Sequence, residues 1–137
     1  MSGLTLDLAR RLIEAAEEEA RRQELRLSFA VVDAGGHPVA IARMDGADWI
    51  TPEIALGKAW TAAAFRAPSD AQGRKAKDLV AFAGSISAAT HGRYTPQIGG
   101  LPVELGGAVV GGMGASGATG QEDEAVVRAA LESASAA

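Results

Sequence analysis

The chain has 137 residues, a formal net charge of −4, no cysteine, and 47% hydrophobic but only 4% aromatic residues. That length predicts one domain, residues 1–137, with a modest core of Ala, Val, Leu and Ile. The composition argues against nonspecific nucleic-acid binding and removes disulfides and thiolate metal sites; no apolar run reaches the ~18 residues of a membrane-spanning helix. With no signal-peptide pattern at the N-terminus, the expected setting is the cytoplasm, without membrane attachment.

Leu6, Ala9, Ile13, Ala16 and Ala20 recur at helical spacing from Thr5 to about Gln23. Arg21 and Arg22 fall late, where the helix dipole favours cations. Leu27–Val32 alternates, Asp33-Ala34-Gly35-Gly36 is turn chemistry, and Pro38–Arg43 resumes as a strand. The pattern predicts a β-hairpin over Leu27–Arg43. Thr51 and Pro52 predict the cap and first position of a second helix, which runs to about Ala67 and stops before Pro68. Ser69 and Gln72 have capping-box spacing for a third helix to about Phe82, weakened by Gly73. Gly84–Gln97 reads as polar and irregular. Leu101–Leu105 and Ala108–Met113 predict a second hairpin across Gly106-Gly107. Thr119 and Glu122 form another capping box, opening a last helix over Gly120–Ser133 that buries Ala125, Val126, Ala129 and Ala130 or Leu131. Two hairpins interleaved with helices predict an α+β domain, an antiparallel sheet with helices packed on it.

Val109–Glu124 reads VVGGMGASGATGQEDE. Gly112, Gly114 and Gly117 fit G-x-G-x-x-G, yet twenty residues after Gly117 leave room for one helix and no second strand. A dinucleotide site needs that strand and its acidic residue, so that reading fails. What survives is close backbone approach at the glycines and free amides at a helix N-terminus, or a tight turn closing the domain. On the ligand reading, Ser116 and Gly117 seat a small anionic ligand, with Lys58 or Arg43 as countercharge.

Few other residues carry chemistry. His37 lies in a hairpin turn and reads as solvent-exposed, whereas His91, in a loop near Tyr94, is a candidate ligand or acid/base group. Arg43 and Asp45 form either a structural ion pair or a carboxylate-binding arginine held by its neighbour. Lys58 and Thr61 sit among Ala55, Ala59, Ala62 and Ala63; Lys58 either snorkels to solvent or faces a pocket and an acidic ligand. Asp123, in the first turn of the last helix, is a candidate proton acceptor whose pKa the helix dipole should lower. No histidine or acidic pair has recognisable metal spacing, so no preformed metal site is expected.

Phe29–Gly46, FAVVDAGGHPVAIARMDG, resembles the opening hairpin of the GlcG/HbpS-like family, which includes the C-terminal domain of PduO-type proteins. Ala55–Ala63 resembles its lysine-bearing helix, and Gly99–Val103 followed by Val109–Glu124 its closing segment. The resemblance implies a five-stranded antiparallel sheet flanked by helices, built into dimers and larger homo-oligomers, often octamers. It also implies haem binding in some members, through a first-helix histidine in the PduO type. This chain has no histidine in Thr5–Gln23, so haem here would use His37, His91 or a weaker ligand such as Met44. Of the two histidines, His91 is expected to matter more, because its loop is long enough to reach a pocket. The favoured reading is a small-molecule or haem binder. The alternative is a cofactor-independent enzyme using Asp45, His91 or Asp123 for proton transfer on a small organic acid. A structural partner protein with no ligand is the third.

Overall fold

The Thr5 hydroxyl accepts the amide of Leu8 at 3.1 Å and so starts α1, Leu6–Arg22. This computed structural model describes residues 3–76 and 80–136. A hairpin follows α1, with β1 at Ser28–Asp33 and β2 at Pro38–Arg43. The helices α2 (Thr51–Phe65), α3 (Ala71–Ala76) and α4 (Val80–Ala89) come next. A second hairpin, β3 (Gly100–Leu105) and β4 (Ala108–Ser116), leads into α5, Gly120–Ala136. Gly106 and Gly107 both take positive φ, +58° and +81°, as the tight turn between β3 and β4 requires.

The α+β reading holds, but the sheet has four strands rather than five. Their order is β2-β1-β4-β3, with every neighbouring pair antiparallel. Two hairpins supply four strands, and among the described residues no fifth segment pairs with them. The stretch between α2 and β3 coils into α3 and α4 instead.

The sheet is covered on both faces. Phe29, Val31, Met113 and Ala115 pack with Leu12, Ala16, Val126 and Ala130 of α1 and α5. The alternate residues Ala30 and Val32 pack against Ala55, Leu56, Ala59 and Ala63 of α2. Period-two alternation sends neighbouring side chains to opposite faces, so a central strand needs apolar residues throughout. β1 meets that requirement over Phe29, Ala30, Val31 and Val32.

Four local expectations are corrected. Ser69 does not cap α3: its hydroxyl donates to the carbonyl of Gln97 and accepts the amide of Gly100 at 2.9 Å, which pins the entry to β3. The start of the segment read as irregular is helical to Ala89. Thr51 opens α2 without capping it, since its hydroxyl donates back to the carbonyl of Asp48. In α5 the capping box forms as expected, Thr119 and Glu122 exchanging amide bonds at 3.1 and 3.2 Å. Its buried face is turned, however: Asp123, Val126, Val127 and Ala130 point inward and Ala125 is exposed.

Tyr94 is buried against Phe65 at a ring separation of 5.7 Å, and its hydroxyl finds no hydrogen-bond partner among the described residues. A buried unsatisfied hydroxyl costs free energy, so Tyr94→Phe should be neutral or stabilise by about 1 kcal/mol in urea unfolding. A clear loss of stability would show that the hydroxyl is satisfied in solution.

Candidate functional site

Lys58 projects from α2 through a gap that glycine keeps open. A Cβ on Gly99 would lie 2.7 Å from its Nζ. The ammonium donates to the carbonyl of Ala115 at 3.0 Å and to Oδ2 of Asp123 at 3.1 Å. The other oxygen of Asp123 accepts the amide of Ala118 at 3.1 Å. Both side chains are almost fully buried, 5% and 2% exposed. The pair ties α2, the end of β4 and the start of α5 together. Lys58 therefore neither snorkels to solvent nor stands free for a ligand.

Burial pushes the Asp123 carboxyl above its usual range, against the opposing pull of Lys58. The expectation of a lowered value at the helix start is reversed, because desolvation outweighs the dipole in a site this dry.

The glycine-rich segment is strand and packing surface rather than a loop. Gly114, Ala115 and Ser116 pair with Ala30, Phe29 and Ser28. A Cβ on Gly112 would collide with the carbonyl of Ala59, and one on Gly114 with that of Ala55. The glycines let the α2 backbone lie directly on the sheet. Ser116 is buried, and a Cβ on Gly117 would come within 2.6 Å of the carbonyl of Arg26. Thr61 donates to the carbonyl of Gly57 and accepts the amide of Thr95, each at 2.8 Å. It pins the segment following His91 across α2.

The remaining sequence candidates lie apart from this pair, and Arg43 and Asp45 lie apart from His91. Arg43 and Asp45 are exposed and line a groove with Arg21, Arg26 and Met44, with no ion pair between them. Arg26, not Arg43, reaches the carbonyl of Asp45, at 3.4 Å. His91, at φ +56°, lines a cleft of about 310 Å³ with Glu53, Ile54 and Arg93. Asp45 and His91 thus line separate clefts, and Asp123 is buried against Lys58.

A pairing that the sequence reading missed lies at the first hairpin turn. Oδ1 of Asp33 accepts the amides of Gly35 and His37, each at 2.9 Å, and lies 3.2 Å from Nδ1 of His37. The backbone amide of His37 is the largest influence holding the Asp33 carboxyl below its usual range. The signal was legible: an aspartate opening a turn bonds amides two to four residues on, and here the fourth is a histidine.

Residues 4–132 match the family described as haem degrading protein, HbpS-like. The chain belongs to the HbpS-like family. Among its HbpS-like relatives, protein GlcG of Escherichia coli K12 is 35% identical over 113 residues, 82% of this chain and 81% of GlcG. A Streptomyces reticuli HbpS double mutant superposes with a TM-score of 0.83 at 31% identity, covering 97% of this chain and 88% of that one. The crystal structure of a PduOC–haem complex gives 0.85 at 26% identity, covering 95% and 94%.

Proposed function

We propose that this protein binds haem and works as a homo-oligomer, a dimer or an octamer, in the cytoplasm. The observation that carries the reading is the match over nearly the whole chain to HbpS and to a haem-bound PduOC structure. Bound haem would supply a redox-active iron, for which the protein must provide an axial donor and an apolar wall.

The residues present fit that demand. α1 carries no histidine, so a donor must come from elsewhere, and His37, His91 and Met44 each line a cleft. The cleft at His37, about 720 Å³, falls well inside the usual range for ligand pockets. Arg43, Arg21 and Arg26 around Met44 offer cations to an anionic group, whether a propionate or another small acid. The acid/base alternative, using Asp45, His91 or Asp123, has no comparable support from a related protein.

Haemin titration tests the reading. A saturable shift of the Soret band is expected, and its absence at stoichiometric protein would overturn haem binding. No helix among the described residues is long and apolar enough to cross a membrane. The apolar surface instead supports self-association: α4 buries none of its residues, and Trp49, Phe82 and Ile41 are 77%, 52% and 45% exposed. Sedimentation should give a multiple of 13.9 kDa at micromolar concentration. A single monomeric species would refute the oligomer.

A further inference from the structure

We propose that His37, held by Asp33 in the first hairpin turn, is the ligand through which this protein takes haem iron, the groove beside it seating the porphyrin. The assignment rests on the haem-binding reading above and names the residue that performs it.

The carboxylate comes first. An ionised aspartate only accepts hydrogen bonds, so its contact with Nδ1 of His37 places the ring proton on Nδ1. With Nδ1 engaged by the carboxylate, Nε2 is the ring nitrogen left to coordinate a metal. Histidines that bind metals share this arrangement: a carboxylate on one nitrogen fixes the tautomer, orients the ring and raises the basicity of the other.

The turn holds the ring in place. A Cβ on Gly35 would lie 3.0 Å from Nδ1 and Cε1 of His37, so the imidazole lies across bare backbone. Gly36, at φ +82°, packs so close to Trp60 of α2 that a Cβ would sit 2.7 Å from its ring. The histidine is preorganised on a turn seated against a helix, while its side chain stays 80% exposed. Loss of conformational freedom on binding is correspondingly small.

The surroundings suit a flat apolar ligand. The groove of about 720 Å³ beside His37 is flanked by Leu4, Leu105, Val109 and Val110. Among the described residues no lysine or arginine lines it, so solvent would have to answer the propionates of a bound haem. His91 offers neither feature. Its cleft is less than half that volume and is lined by Glu53 and Arg93, and among the described residues no carboxylate bonds its ring. The expected ranking of the two histidines is therefore inverted.

The test is haemin titration of the wild type and of His37→Ala, His37→Gln, Asp33→Asn and His91→Ala, with Soret spectra and the iron–histidine stretch of the ferrous form. Circular dichroism confirms folding of each variant. Both His37 variants should raise Kd at least about tenfold and abolish the iron–histidine band, since the axial ligand dominates such a site. Millimolar imidazole should restore the wild-type Soret position to His37→Ala. Asp33→Asn should weaken binding by about tenfold or more, and His91→Ala should match the wild type. Unchanged spectra and affinity in both His37 variants, with the wild type still binding, would overturn the assignment and leave haem binding intact. A wild type that shifts no Soret band overturns both.

Discussion

Replacing Lys58 with methionine is expected to cost about 3–5 kcal/mol of folding stability, the usual penalty for leaving one half of a buried ion pair alone. Methionine matches the aliphatic stem but removes the donor to Asp123 Oδ2 and to the carbonyl of Ala115. The carboxylate is then buried with only the Ala118 amide to answer it. In the double variant Lys58→Met/Asp123→Leu no charge is stranded, and most of the loss should be recovered. Urea unfolding of the two variants decides the matter. An equal loss in both would show that packing, not the uncompensated charge, sets the cost.

The pair also predicts a pH dependence. A carboxyl whose folded pKa lies above its unfolded value binds more protons in the native state. Its contribution is fully present below the ordinary value of 3.8 and is lost as pH rises through the raised folded value. Without Lys58 the folded value climbs further. The deficit of Lys58→Met should therefore shrink toward acid pH, where Asp123 is protonated and neutral. Asp33 has the opposite sign, because its lowered value makes its contribution fade only as pH falls below 3.8. A deficit for Lys58→Met that stayed constant from neutral to acid pH would contradict the account.

Adding one methyl group at Gly114 should have the second large effect. The new Cβ would meet the carbonyl of Ala55 and come within 2.7 Å of the amide of Ala59 and 3.0 Å of Cβ of Lys58. Two of these neighbours are helix backbone and cannot rotate away, so α2 must lift from the sheet. Overpacking of this kind costs about 1–3 kcal/mol, and rigid backbone puts Gly114→Ala at the upper end. Gly84→Ala is the control. Gly84 lies in α4 with open space around it, and alanine there should stabilise by about 0.5–1 kcal/mol through helix propensity. Thermal unfolding midpoints moving in opposite directions would confirm that position, not glycine content, governs the response. A harmless Gly114→Ala would show that the helix–sheet contact is looser than it stands.

Local signals were legible wherever a short stretch of chain decides the outcome. Thr119 with Glu122 and the Gly106-Gly107 turn each act over three or four residues, and each forms as read. Both hairpins follow from strand alternation around turn residues. The reading failed where a distant group competed for the same atom. Ser69 has capping-box spacing, yet Gln97 and Gly100 claim its hydroxyl. Asp123 sits where a solvated acid belongs, but Lys58, 65 positions earlier in the chain, waits on the inner side.

The amino-acid sequence by itself determined the α+β class, the two hairpins and the starts of α1, α2 and α5, because caps, turns and alternation are settled within a few residues. Only the tertiary structure decided the roles of the polar and glycine residues. The run Gly111-Gly112-Met113-Gly114 carries no mark that distinguishes a ligand loop from a surface on which a helix lies. Its meaning depends on whether the backbone that comes close belongs to α2 or to a ligand. Lysine and aspartate likewise read as free charges until folding brings them within 3.1 Å of each other in a dry interior. Charge pairing and desolvation depend on distance in space, which sequence separation does not measure.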